Sequence, residues 1–336
     1  MNRLTKRTVS LATALMLFNS ITVNAVLNMG GQTIFAGTVI EVLEPGPDIQ
    51  AIIDNITDAS AAKPYLIHLG AGVYDLGSTN IVMKPWVSIQ GSGQEATKIT
   101  GAVSTGTDDN TSAVIAGANN TALTDMTIEN TGGNILSLAI INSNVSPRLE
   151  RLTAISTGGT YRNIAVYNIA SASPMMKNIT AIASGNTNGA RAVVNDSSSP
   201  TMLNITASAS GGTESNRGVF NKVSSTPTMI NVNASASGGL KSRGVLNNAS
   251  SPIMMNITAR ASGSSESSHG ILSTALSSPF IQDSILEGDT KGLRILSDSP
   301  GTRSVNNMII NGVKNDAVTG TQCLGNYDEN LADVNC

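Results

Sequence analysis

The chain is poor in the side chains that build a conventional layered core. Aromatic residues make up 3% of its 336 positions and charged residues 13%, while Gly, Ser, Thr, Asn and Ala abound. So few large side chains exclude the usual packing of helices against a sheet and suit many short strands joined by small-residue turns. Lys and Arg (20) do not exceed Asp and Glu (23), and the net charge is -3, so nothing points to a nucleic-acid partner. No segment reaches the roughly 18 apolar residues of a membrane span. There are only two histidines, His68 and His269, and two cysteines, Cys323 and Cys336. So few ligands argue against a structural zinc site, which wants about four.

What is present begins with a leader-like N-terminus. Arg3, Lys6 and Arg7 precede a short apolar run, Val9 to Phe18, and Val23-Asn24-Ala25 offers a small-residue cleavage site. Residues 1–25 are therefore expected to be a bacterial signal peptide, and the mature chain to be periplasmic, surface-located or secreted. In an exported chain, Cys323 and Cys336 are expected to form one disulfide closing the tail 323–336.

From residue 142 to 299 the chain repeats. Prolines recur at Pro147, Pro174, Pro200, Pro227, Pro252 and Pro279, at a nearly constant spacing. Units such as "RGVFNKVSSTPTMINVNASASGG" and "RGVLNNASSPIMMNITARASGS" each hold a short strand, a Ser-rich turn, a Pro-x-Met step and an alternating strand. A fixed period with twofold alternation means stacked strands, with equivalent residues of successive coils about 4.8 Å apart. Met176, Met202, Met229 and Met254 would then form an internal apolar column. Asn178, Asn204, Asn231, Asn256 and Asp283 would line a sharp bend, where Asn tolerates left-handed backbone and its amide bonds along an otherwise buried corner. A second series, Asn168, Asn195, Asn221 and Asn247, continues as Ser273 and Ser297. Ahead of the repeats, Ile49, Ile52, Ile53 and Ile56 share one helical face after Pro47 and Asp48, which predicts a short helix capping the stack.

Those residues carry a family resemblance. "AIID", "GAGVYDLG" and "VSIQGSGQEATKITG", between Ile49 and Gly101, resemble the opening of pectinesterase and pectate-lyase-like proteins. The repeats resemble the right-handed parallel β-helix of the same superfamily. The resemblance implies an all-β, right-handed β-helix over positions 26–322, with one coil per repeat of about 26 residues. It does not extend to activity, because no strand resembles the "GTVDFIFG" or "GNTAILQN" motifs of pectinesterases. Only Asp196, Glu214 and Glu266 supply carboxylates between Ile164 and Phe280. Cleavage of a glycosidic bond usually takes a carboxylate pair, and calcium takes several oxygen ligands together. A cofactor is therefore not expected, with calcium entering only if the chain acts as a lyase. In the N-terminal coils Asp108 and Asp109, with Asp125 and Glu129, could come near one another; the first three are the catalytic candidates if the protein is an enzyme.

One column stands out. Arg191, Arg217, Arg243 and His269 follow one another at a constant interval, and the next slot reads as Leu293. Like charges so stacked repel, over about 14 Å at the strand spacing, and must be solvated, paired or occupied by an anion. Glu214 and Glu266, shortly before Arg217 and His269, are candidate local partners. The alternative is an acidic polysaccharide or cell-surface glycan held by successive arginine forks, with Tyr167 and Phe220 as stacking surfaces whose face alternation does not assign. His269 would tighten such binding in mild acid. The reading is an exported, non-catalytic binder of polysaccharide or another extracellular partner. The alternatives are a pectinesterase- or lyase-like enzyme and a structural or adhesive rod.

Overall fold

The computed structural model describes residues 20–29, 32–185, 187–299, 301–316 and 320–335. Each coil follows from its small-residue sequence. A strand such as Gly212–Lys222 ends at a turn in which Val223 and Ser224 both take positive φ, and Pro227 then introduces Thr228–Ser237. In that second strand Met229, Val232, Ala234 and Ala236 are buried while the residues between them face out. Gly238 and Gly239, both at positive φ, turn the chain into the next coil. Successive coils pair in parallel and in register, giving a parallel β-solenoid of about 10 turns. Strands of the Thr228–Ser237 type make one sheet, and those of the Gly212–Lys222 type make a second, ten-stranded among the described residues.

The bends bear out the left-handed expectation. Asn178, Asn204, Asn231 and Asn256 have φ of 55°, 56°, 55° and 51°, and Asp283 has 50°. Asn204, Asn231 and Asn256 each donate to the amide oxygen of the preceding rung at 2.9, 3.0 and 2.7 Å. This corner is exposed, however, not buried. The buried ladder is the other series, in which Asn142 donates to Asn168, Asn168 to Asn195, Asn195 to Asn221 and Asn221 to Asn247 at 2.8–3.0 Å. All five are fully buried. Their amides also reach the methionine column, with Asn168 3.5 Å from Met176 Sδ and Asn195 3.6 Å from Met202 Sδ. Met176, Met202, Met229 and Met254 pair in register and are fully buried, as expected. Ser273 is the next rung of the buried Asn series, but Ile295 follows it; Ser297 lies outside the column.

The two sheets approach closely beside the arginine column. A Cβ on Gly218 would stand 2.8 Å from the Ser235 nitrogen, and one on Gly270 would stand 2.7 Å from that of Glu287. The glycine after Arg217, and the one after His269, are therefore packing requirements.

At the N-terminal end the expected helix spans Ile49–Asn55. The Asp48 side chain accepts from Ala51 N–H, and Ile49 and Ile53 are buried in the main core. Gln50 Oε1 accepts from Val82 N–H, on the outermost described strand of the second sheet, at 2.8 Å. The first sheet instead continues through Gln32–Val42, which pairs in parallel with Tyr65–Leu69 and antiparallel with Ser20–Met29. Residues 1–19 of the expected signal lie outside the described residues, and the expected cut after Ala25 falls within Ser20–Met29. His68 pairs with Glu41 of the neighbouring strand, Nδ1 to Oε2 at 2.6 Å. Near the C-terminus Cys323 stands opposite Ser304, whereas Cys336, and with it the expected disulfide, lies outside the described residues. Among the described residues no helix is long and apolar enough to cross a membrane.

Candidate functional site

The second sheet carries the arginine column because its strands break their alternation. In "NRGVFN", Asn216 and Asn221 are buried and Val219 joins the main core. The ladder skips Gly218, so Arg217 and Phe220 both face outward. Phe220 belongs to a separate apolar cluster with Ile141, Tyr167, Val194 and Leu246. Two columns therefore run side by side outside the main core, one of basic side chains and one apolar and buried. The register is Arg191, Arg217, Arg243, His269 and then Lys291. The expected Leu293 instead pairs with Ile271 in the core, because the coil after His269 is shorter than those before it and brings Lys291 into the slot early.

Acids act on the column only at a distance, Asp108 on Arg191 and Glu266 on Arg243. Among the described residues no ion pair includes Arg191, Arg217 or Arg243. The expected local pairing fails. Glu266 contacts Lys241 at 3.3 Å instead of His269, and the exposed Glu214 makes no ion pair with Arg217. Arg191 and Arg217 are half-buried, Arg243 is 8% exposed and His269 is fully buried. Desolvation, then mutual repulsion within the column, pushes Arg191 and Arg243 below their ordinary values, and desolvation does the same to Arg217, with Arg162 adding repulsion. Their stabilising contacts are of other kinds. The guanidinium carbons of Arg217 and Arg191 lie 4.5 and 5.4 Å from the Phe220 ring centroid, in cation–π range. Arg243 donates to the Ser242 and Ser267 carbonyls at 2.7 and 2.8 Å and to Ser267 Oγ at 3.0 Å. Arg191 Nε is buried without a partner, and so are both ring nitrogens of His269. Burial, then Arg243, Arg294 and Lys314, pushes His269 down to about 3. It is thus neutral at ordinary pH, contrary to the expectation that it charges in mild acid.

The three candidate acids are not gathered. Asp108 contacts Arg162 of the second sheet at 3.2 Å. Asp109 caps the short turn Asn110–Ser112, accepting from Thr111 N–H and Oγ1 at 2.8 and 2.5 Å. Asp125 occupies the bend of the first sheet, at φ 61°, where Arg151 Nε and Nη2 donate to it at 2.5 and 2.8 Å. Glu129 pairs with Lys98. The structure instead brings Asp108 towards Asp196 around Tyr167. Tyr167 donates its hydroxyl to Asp196 Oδ2 at 3.2 Å, Lys222 Nζ lies 2.6 Å from the same oxygen, and burial, then Asp108 and Asp196, raises the phenol. No spacing signals this group, whose members come from separate coils. Among the described residues no three His, Cys, Asp or Glu side chains gather as metal ligands.

A pocket of about 220 Å³ is lined by Arg217, Arg243, Leu246, Asn248, Leu272 and Thr274, among others.

Several solved structures are similar to the chain. One is the A-module of a mannuronan C-5 epimerase from Azotobacter vinelandii, 16% identical over 83% of this chain and 94% of that one, with a TM-score of 0.40. Another is the pectin methylesterase of carrot, 15% identical over 70% and 77%, TM-score 0.43. A third is the pectin methylesterase of Yersinia enterocolitica, 11% identical over 85% and 91%, TM-score 0.38. No family model matches the chain, and no curated protein matches it.

Proposed function

We propose that the protein is exported and binds an acidic polysaccharide along the outer face of its second sheet. The observation that carries this reading is the in-register column Arg191, Arg217 and Arg243, which lacks carboxylate partners and runs beside an apolar strip. An extended polyanion would relieve the repulsion within the column, meeting it at the half-buried Arg191 and Arg217. A disulfide between Cys323 and Cys336 closing the tail, and a capping role for the helix Ile49–Asn55, belong to the same reading. A glycan array probed with the wild type and with the triple Arg191→Ala, Arg217→Ala, Arg243→Ala variant tests it. Salt-sensitive retention on acidic glycans, lost in the variant, is expected; equal retention by both proteins sinks the reading.

A second reading rests on the group around Tyr167. Asp196 accepts from its hydroxyl at 3.2 Å and the charge of Asp108 acts on it as well, so two carboxylates bear on one phenol. The protein would then also act on its polysaccharide. Product release from acidic polysaccharides, abolished in Asp108→Asn and Asp196→Asn, is the expected sign. A rod without a ligand would show neither retention nor product.

A further inference from the structure

We infer that Arg191 and Arg217 together hold one tetrahedral oxyanion ester, a sulfate or phosphate group carried by the glycan, rather than a uronate carboxylate. This inference rests on the polysaccharide-binding reading and names the acidic group that the ligand carries.

The cations around Phe220 divide into satisfied and unsatisfied ones. Lys222 Nζ lies 5.9 Å from the ring centroid and takes Asp196 at 2.6 Å. Arg162, on a preceding coil, takes Asp108 at 3.2 Å. One coil beyond, Arg243 directs its N–H groups to Ser242 and Ser267. That leaves Arg191 and Arg217. Among the described residues neither forms an ion pair or donates a side-chain hydrogen bond, and Arg191 Nε is buried without an acceptor. They stand in register on adjacent strands, about 4.8 Å apart at the strand spacing, and both lie over one ring. Two half-buried guanidinium forks, free of protein acceptors, therefore converge from adjacent coils.

An acidic group at this place meets two forks at once. A guanidinium edge takes two acceptor oxygens, so the coplanar oxygens of a carboxylate are filled by a single fork. The other fork then stays unpaired, and donors desolvated without a partner weaken binding. A sulfate or phosphate ester presents three oxygens that diverge in space, so one group reaches both forks. A uronate chain would place successive carboxylates on separate arginines, but the shared Phe220 ring draws both guanidiniums towards one point. The sugar bearing the ester has polar surroundings close by. Arg217 also lines the pocket of about 220 Å³, where Ser215, Asn248 and Thr274 offer hydrogen bonds to hydroxyls.

The test titrates the full-length protein by calorimetry with two oligosaccharides of equal length. One is an oligogalacturonate with a carboxylate on every sugar, the other a sulfated oligogalactan with a sulfate on alternate sugars. The wild type is expected to bind the sulfated chain about tenfold more tightly although that chain carries less charge. Inorganic sulfate, phosphate and acetate then compete with the bound chain at one ionic strength. Sulfate and phosphate should displace it and acetate should not, and the stronger competitor names the ester. The double variant Arg191→Lys, Arg217→Lys keeps both charges without the forks, and should lose the preference. Arg260→Ala, which removes an exposed pair with Glu287 on the first sheet, should leave both affinities unchanged. Equal wild-type affinity for the two chains, a preference for the uronate, displacement by acetate, or a preference that survives in the Lys variant overturns the inference. Any of these leaves the acidic-polysaccharide reading standing, and the wild-type comparison decides even where the variant is unstable. Failure of the wild type to bind either chain overturns that reading, and the inference falls with it.

Discussion

Arg217 lies over Phe220 with its guanidinium carbon 4.5 Å from the ring centroid, and Arg191 of the adjacent coil reaches the same ring at 5.4 Å. One aromatic ring therefore serves two arginines that repel each other. Cation–π contacts with desolvated partners contribute about 1–2 kcal/mol each. Phe220→Leu keeps the apolar column, as Leu246 does naturally, but removes both contacts and that of Lys222 Nζ, 5.9 Å from the centroid. It is expected to lower the unfolding free energy by about 2 kcal/mol, measured from urea denaturation midpoints. An unchanged midpoint would mean that the ring only fills space.

The column separates binding from stability. Arg217 is half-buried, carries no carboxylate partner and stands between Arg191 and Arg243. Arg217→Gln relieves the repulsion with Arg191 and Arg243 but also loses the Phe220 contact, so the stability of the ligand-free protein should change by less than about 1 kcal/mol. The same change should weaken binding of an acidic oligosaccharide about tenfold, through loss of a charge-assisted fork. Thermal melts and titrations of one protein preparation read both. A column kept only for structure would show the reverse, lower stability with binding unaffected.

The repeat period is enough to place the methionine column, the left-handed asparagine bends and the register of Arg191 through His269. These are legible because each depends only on counting within a regular coil. Other features escape counting. The face of Phe220 depends on the ladder skipping Gly218, which breaks alternation inside a single strand. The slot after His269 falls to Lys291 rather than Leu293 because that coil is shorter than its predecessors, so a constant period overshoots it. Asp108 meets Arg162 through a loop that lies outside the repeat. The two asparagine ladders recur with the same period, and only the packing of the sheets makes one exposed and the other buried.

His269 gives a pH dependence with a definite sign. It is fully buried with both ring nitrogens unpartnered, and it faces Arg243 and Lys291 on either side, with Arg294 and Lys314 also near. Its folded value, about 3, lies below the ordinary 6.5, so the unfolded chain takes up the proton first. The stability that depends on neutral His269 is whole above pH 6.5 and is lost as pH falls towards 3, with a limiting slope of about 1.4 kcal/mol per pH unit. Denaturation midpoints should fall between pH 6.5 and 5 in the wild type and stay level in His269→Leu. Affinity for an acidic oligosaccharide should be flat between pH 5 and 8, because the imidazole stays neutral there. Tighter binding at pH 5 that disappears in His269→Leu would show the ring to be charged and exposed to ligand.

The two asparagine ladders should differ sharply when cut. Asn221 is fully buried, accepts from Asn195 at 2.8 Å and donates to Asn247 at 3.0 Å. Asn221→Ala leaves an amide N–H of Asn195 and an amide oxygen of Asn247 unpaired in a dry interior, each costing about 1–3 kcal/mol, and opens a cavity beside Met229. Asn204 makes the same kind of contact, donating to Asn178 at 2.9 Å and accepting from Asn231 at 3.0 Å, but on an exposed corner. Water replaces those partners, so Asn204→Ala costs mainly the left-handed strain of a Cβ-bearing residue at φ 56°, about 1 kcal/mol. Asn204→Gly should recover that strain, because glycine takes positive φ freely, whereas Asn221→Gly should recover nothing. The expected order of denaturation midpoints is wild type, then Asn204→Gly, Asn204→Ala and, well below, Asn221→Ala with Asn221→Gly. Equal losses at the two ladders would mean that the strands, rather than the buried amides, hold successive coils in register.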